Sequence, residues 1–253
     1  MKRARILPWL VPIAVILAWQ AGCDLGFLHA DILPAPLAVA EAGWRVARSG
    51  ELWINVRASA WRAFLGFAIG GGIGFALGMA NGLSSLSETL TDSTLQMVRN
   101  IPHLALIPLV ILWFGIDESA KVFLVALGVF FPIYVNTLHG VRSVDPHLLE
   151  MARAYGMPRG AIFRRVVLQG ALPSILVGLR YALGIMWLTL IVAETISANS
   201  GIGYMAMSAR EFMQVDVVVF AILLYAALGK LADSAARLLE RTTLAWNPAY
   251  AKA

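Results

Sequence analysis

Apolar residues in this chain gather into long unbroken runs, separated by short charged segments, instead of alternating along the chain. Charge-free runs occupy 6–23, 63–87, 100–116, 122–141, 166–193 with Arg180 inside it, and 217–229. A helix needs about 20 mainly apolar residues to cross a bilayer, and continuous rather than alternating apolarity argues against a closed β-barrel. The runs at 63–87 and 122–141 meet that length outright, and 166–193 meets it with one arginine; the other three borrow flanking residues. The expected fold is all-α and polytopic, with about six transmembrane helices. Pro102 and Pro108 interrupt the third run, which predicts a kinked or locally broken span.

Between the runs the pattern changes to helical spacing. Residues 37–48 read as an amphipathic helix on the membrane surface, anchored by Trp44 after the rigid stretch Ile32-Leu33-Pro34-Ala35-Pro36. A second such helix starts at Asp145-Pro146, a capping residue followed by a preorganised first position, and ends at Gly156 before Pro158. Leu148, Met151, Ala152 and Tyr155 fall on one stripe of it. A solvated loop has no use for an apolar stripe, whereas a loop that plugs into a groove of a partner protein does. Residues 198–203 predict a flexible polar turn, and Lys230 and Asp233 can pair at i,i+3. The chain divides into an N-terminal span with an amphipathic segment (1–60) and a transmembrane core (61–245) that carries the loop 142–173.

Composition agrees with the pattern. Of 253 residues 59% are hydrophobic and 14% charged, against roughly 25% charged in soluble domains. Twelve Lys and Arg residues, among them Lys2, Arg3, Arg5, Arg99, Arg142, Arg153 and Lys252, share one side of a six-span topology, and six lie on the other. The positive-inside rule makes the richer side cytoplasmic, with both termini and the 142–173 loop on it. Topology thus accounts for the net charge of +5, and no nucleic-acid partner is needed. Ala21-Gly22-Cys23 after a basic N-terminus imitates a lipoprotein signal, but Gln20 occupies a position that calls for a branched apolar residue, and the segment reads as the first span. Cys23 is the only cysteine, which excludes an intrachain disulfide and a cysteine-cluster metal site.

Gly66, Gly70, Gly74, Gly78 and Gly82 recur every four residues through the second run. Such a stripe lets another helix approach backbone to backbone, either as fixed packing or as a face that slides during gating. The glycines at 70–74 lack the Lys-Ser/Thr of a phosphate-binding loop, so the chain cannot itself bind and hydrolyse ATP in that manner. His29, His103, His139 and His147 show no ligand spacing, and no HExxH or GxSxG pattern occurs. No catalytic residue, metal or cofactor is expected. Arg180 and Glu194, fourteen residues apart, are separated by about 21 Å of helix and do not pair with each other. Glu194 is expected at a solvated helix end, and Arg180 is expected to snorkel. The polar or ionisable residues available to a translocation pathway are Asn100, His103, Asn136, Arg180, Thr189, Glu194 and Ser197. An ion-coupled secondary transporter, the alternative of another class, would need carboxylates near mid-membrane, and the runs carry none.

The segment Glu150 to Pro173 resembles the EAA loop of bacterial ABC importer permeases. Glu150, Ala152 and Gly156 match that pattern. Met151 replaces its first Ala, and Gln169 stands at its Pro, with Leu172-Pro173 close behind to preserve a break before the fifth span. The runs RNIPHLALIPLVILWFGIDESAK and MWLTLIVAETISANSGIG are similar to the permease group that serves sulfonates, taurine and nitrate, aliphatic sulfonates above all. The resemblance implies the type I ABC importer permease fold. It implies a homodimer of permeases in the inner membrane, in contact with lipid, and a periplasmic solute-binding protein. It also implies two cytoplasmic ATPase copies that receive a coupling helix built from Leu148, Glu150, Met151, Ala152, Tyr155 and Gly156.

Overall fold

The computed structural model describes residues 3–246, with side chains from residue 10 onward except that of Ser197. The charges assigned to Lys2, Arg3, Arg5 and Lys252 and the proposed pathway side chain of Ser197 lie outside the described residues. All regular structure described is helical: α1 (Arg3–Asp24), α2 (Pro36–Arg48), α3 (Glu51–Leu83), α4 (Ser85–Arg99), a 3₁₀ turn (His103–Leu106), α5 (Ile107–Phe114), α6 (Glu118–Arg142), α7 (Pro146–Ala154), α8 (Arg159–Ile162), α9 (Leu168–Ser197), α10 (Ile202–Glu211) and α11 (Val215–Thr243). Among the described residues four helices are long and apolar enough to cross a membrane: α3, α6, the continuous 159–196 run and α11. A fifth span forms if the pair 85–99 and 103–114, bent by 80°, counts as one.

The third span therefore differs from the run at 100–116. Eight residues of α5 rise only about 12 Å, too little to cross alone. The span needs α4, whose Glu88, Asp92 and Arg99 kept it out of the charge-free runs. The break falls at 100–102, where Pro102 cannot donate to the helix ladder. The expected break at Pro173 is absent. Pro173 lies inside α9, and the irregularity comes earlier, where the Leu168 N–H reaches five residues back to Phe163 O. This π-turn joins α8 to α9 without interruption.

Two compact units make up the chain: residues 1–59 with 198–226, and residues 60–197 with 227–253. In the first unit α2 buries Val39, Ala42, Gly43 and Val46 and leaves Trp44 outward beneath the Arg48 guanidinium, 4.7 Å from the ring centroid. Gly43 lies against the Phe220 ring of α11, and Arg45 pairs with Asp216 at 2.5 Å. The turn expected to be flexible is instead pinned. Asn55 Oδ1 accepts from the Gly201 N–H at 2.8 Å, and Ser59 Oγ accepts from the Ile202 N–H at 2.9 Å. These buried acceptors satisfy the first donors of α10, which local sequence leaves uncapped.

The second unit is built around α6. Val125, Val129 and Ile133 pack with Ala63 of α3 and with Ala182, Met186 and Leu190 of α9. Towards its start, Ala120 and Leu124 meet Ile107 and Val110 of α5 and Ala193 of α9. Towards its end, Val141 meets Met79, Val167 and Ala171.

Candidate functional site

At the end of α6 the chain turns through Ser143 and Val144 into α7. Asp145 caps it by accepting from the His147 N–H at 2.9 Å. Gly156 at φ +71° closes it, with Gly156 N–H bonded to Arg153 O and Met157 N–H to Ala152 O. This paired closure requires the left-handed residue at Gly156. The expected stripe divides: Ala152 is 3% exposed and faces inward, while Leu148, Met151 and Tyr155 are exposed, Tyr155 at 81%. Leu149 anchors α7 against the Met79, Val141, Val167 and Ala171 cluster. Glu150 is exposed and sits 3.9 Å from His147. The outward face is thus three large apolar side chains on a short, doubly capped helix.

The glycine stripe of α3 faces α6 along its length. A Cβ on Gly70 would stand 2.0 Å from Ala126 O, one on Gly74 2.5 Å from Phe130 O, and one on Gly78 2.7 Å from Tyr134 O. Gly66 and Gly82 meet the side chains of Val125 and Val141. The additional Gly72 has nothing within 4 Å.

Of the sequence-derived pathway residues, the structure brings three together. His103 and Asn136 line a cavity of about 400 Å³ between α4, the 3₁₀ turn, α6 and α9. Thr189, buried behind it, shares a 2.9 Å hydrogen bond with His103 Nε2. The Asn136 amide donates to Pro132 O at 2.8 Å. Asn100 sits at the break itself as the C-cap of α4. Arg180 belongs to a neighbouring cavity and bonds Asp233 at 2.6 Å; Arg237 and Lys230 also pair with Asp233.

Glu194 is not a solvated helix end. It is 1% exposed and accepts from Arg62 at 2.7 Å. Arg62 simultaneously makes a forked pair with Glu118 at 2.5 and 2.7 Å, and the buried Lys121 reaches Glu118 at 3.2 Å. Arg62, one of the six cations that the sequence counts on the outer side, is thus buried within α3. The cluster has balanced charge and ties α3, α6 and α9. It also supplies the buried carboxylate that charge-free runs did not reveal, held by an arginine and not placed as an isolated proton carrier.

Sequence reasoning missed Arg62, Glu118 and Lys121. It also missed the network in which Asn81 donates to Tyr134 at 2.9 Å and Thr91 at 2.7 Å and accepts from Ser87 at 2.6 Å. One signal was available: Asn55, Ser59 and Arg62 recur at steps of four and three, a polar stripe on one helix face.

A polytopic helical bundle with a broken third span, a glycine-sealed helix pair and an apolar helix projecting from a short loop describes a membrane transport component, not an enzyme. Residues 72–244 match the family described as binding-protein-dependent transport system inner membrane component, and the chain belongs to that family. Among relatives, it is 62% identical over 97% of its length, and 94% of theirs, to a protein of Escherichia coli (strain K12) named "Putative aliphatic sulfonates transport permease protein SsuC". A protein of the same name from Bacillus subtilis (strain 168) is 45% identical over 95% of this chain and 87% of its own. The taurine transport system permease protein of Escherichia coli is 36% identical over 93% and 88%. A solved structure of the MetNI methionine ABC transporter shares the fold, with a TM-score of 0.55 at 18% identity over 77% of this chain and 96% of that one.

Proposed function

We propose that this chain is the permease subunit of an ATP-driven importer that carries aliphatic sulfonates into the cytoplasm. The observation that carries the substrate is the 62% identity, across nearly both full lengths, to the Escherichia coli relative named for aliphatic sulfonates; the taurine permease stands at 36%. A sulfonate is charged at every physiological pH, so unaided passage through hydrocarbon is prohibitive and a protein pathway is required. Two copies of the chain form the pore, and a periplasmic binding protein selects and delivers substrate. Both termini and α7 face the cytoplasm, where Leu148, Met151 and Tyr155 enter a groove on the ATPase. Glu150, Ala152 and Gly156 set the shape of that contact. The pathway draws on Asn100, His103, Asn136 and Thr189, with Arg180 and Glu194 in supporting ion pairs. Alternating access then follows from rocking of the helical bundles about the pathway.

The test reconstitutes permease and ATPase in vesicles with the binding protein. ATP-dependent uptake of radiolabelled alkanesulfonate is expected, and it vanishes when the binding protein is omitted. Uptake of taurine or nitrate but no alkanesulfonate would overturn the substrate and leave the importer class.

A further inference from the structure

We propose that the cavity at His103 is a selectivity site within the permease, where Arg99, His103 and Asn136 take the sulfonate headgroup and Leu127, Phe131 and Ile185 take the alkyl chain. This inference rests on the sulfonate reading above and adds that the permease, and not the binding protein alone, discriminates among substrates.

Placement supports it. The lining positions 127–136 fall in the middle of α6 and 181–185 in the middle of α9, the depth at which transporters hold substrate. The wall opposite them comes from the broken third span, where non-helical backbone lines a cavity instead of facing lipid. The volume of about 400 Å³ lies in the range of small-molecule sites, roughly 300–1,000 Å³.

The chemistry is amphiphilic in the way an alkanesulfonate is. Three sulfonate oxygens accept hydrogen bonds and share one negative charge. The cavity offers the Arg99 guanidinium, the His103 ring and the Asn136 amide, and its lining includes no carboxylate. A site with one cation and no acid suits a monoanion. Arg99 is exposed and not enclosed by the cavity, which favours capture without trapping. Leu127, Phe131 and Ile185 supply apolar surface that an inorganic anion would leave unused. The His103–Thr189 bond at 2.9 Å orients the imidazole and leaves Nδ1 for a ligand. Gly128 makes room for that pair: a Cβ there would lie 2.9 Å from Thr189 Oγ1 and 3.3 Å from His103 Nε2.

The test uses the full transporter in proteoliposomes with saturating binding protein loaded with either ethanesulfonate or octanesulfonate. Phe131→Ala removes apolar surface that only the longer chain reaches and is expected to lower the octane-to-ethane uptake ratio by roughly tenfold. His103→Ala is expected to lower uptake of both by about tenfold, with substantial recovery in His103→Gln, whose amide restores a donor. ATPase stimulation by the loaded binding protein persists in each, which separates a substrate contact from a folding defect. Phe131→Leu carries the same ratio test where the alanine variant does not assemble. An unchanged ratio in the Phe131 variants, with His103→Ala uptake within about twofold of the unaltered transporter, would overturn the inference and leave sulfonate import standing. Absence of any sulfonate uptake by the unaltered transporter would remove the functional reading itself.

Discussion

Adding one methyl group to α3 should have opposite effects at two glycines two residues apart. A Cβ on Gly70 would lie 2.0 Å from Ala126 O, whereas one on Gly72 has nothing within 4 Å. A carbon–oxygen contact relaxes to roughly 3.3 Å, so Gly70→Ala must part α3 and α6 by more than about 1 Å. The obstructing atom is backbone and cannot rotate aside. Overpacking of this kind costs about 1–3 kcal/mol. Replacing a mid-helix glycine by alanine returns at most about 1 kcal/mol. Gly70→Ala should therefore destabilise by about 1–2 kcal/mol, and Gly72→Ala should be neutral or slightly stabilising. At about 2–4 °C per kcal/mol for a chain of this size, the first lowers the melting midpoint by several degrees and the second leaves or raises it. Thermal unfolding in detergent at one fixed scan rate, with uptake in vesicles alongside, measures both. Gly70→Ala as stable as the parent, or Gly72→Ala equally damaged, would refute the close-packed seam.

Tyr155→Asp places a charge in the proposed ATPase groove and should abolish co-purification of the ATPase while leaving the permease folded; retention of both ATPase and transport would remove α7 from the docking role. Glu194→Leu removes one of the two carboxylates that hold the buried Arg62, which keeps Glu118, and should cost about 1.5–3 kcal/mol of stability, and Arg62→Met with Glu194→Leu should recover part of it; a single variant as stable as the parent refutes the cluster as a tie. Asn55→Ala leaves the buried Gly201 N–H without its acceptor, costs about 1–3 kcal/mol, and should raise hydrogen exchange in 198–211; unchanged exchange there counts against the pin. Spin labels on α3 and α6 should hold their separation through the ATP cycle, while a label on α4 moves relative to α6; movement between α3 and α6 would contradict a rigid pair.

The helical class was legible because hydrocarbon demands continuous apolar runs, and the caps of α7 because Asp145, Pro146 and Gly156 act locally. The polar face of α4 was not legible as part of a span. Its side chains bond within the protein, as Thr91 does to Asn81, so they need not be apolar. The ion cluster stayed hidden for a related reason: Arg62, Glu118 and Glu194 are far apart in sequence, and each alone resembles a charge at a helix end. Periodicity likewise placed Ala152 with Leu148, Met151 and Tyr155, because it cannot tell which edge of a stripe meets the parent protein and which meets a partner. The glycine stripe announced a close approach, but only the fold identified α6 as its partner.

These seams constrain how a push on α7 can reach the cavity. Five glycines of α3 close one side of α6. On the other side Gly140 would meet Ala171 O at 2.7 Å, and Gly178 would meet Pro132 O at 2.9 Å, so α9 is equally close. Ser174 Oγ donates to Asn136 O at 2.8 Å across the same contact. Close-packed backbones have no room to slide by degrees. With the ATPase seated on Leu148, Met151 and Tyr155 as proposed, force enters through Leu149 and Val141 and moves α3, α6 and α9 as one block. The third span is different. It is broken at 100–102 and bent by 80°, and it meets the block through the His103–Thr189 hydrogen bond, the Asn81 bonds to Thr91 and Ser87, and the packing of Ile107 and Val110 on Ala120, Leu124 and Ala193. Those contacts are side-chain packing and hydrogen bonds, which part more readily than glycine-sealed backbones, so displacement is expected between the block and the broken span. Arg99 and His103 lie on one side of that boundary, and Asn136, Leu127, Phe131 and Ile185 on the other. On the proposed site, a shift of the broken span would therefore draw Arg99 and His103 away from Asn136 and the alkyl wall, which would loosen the substrate at the moment it must leave.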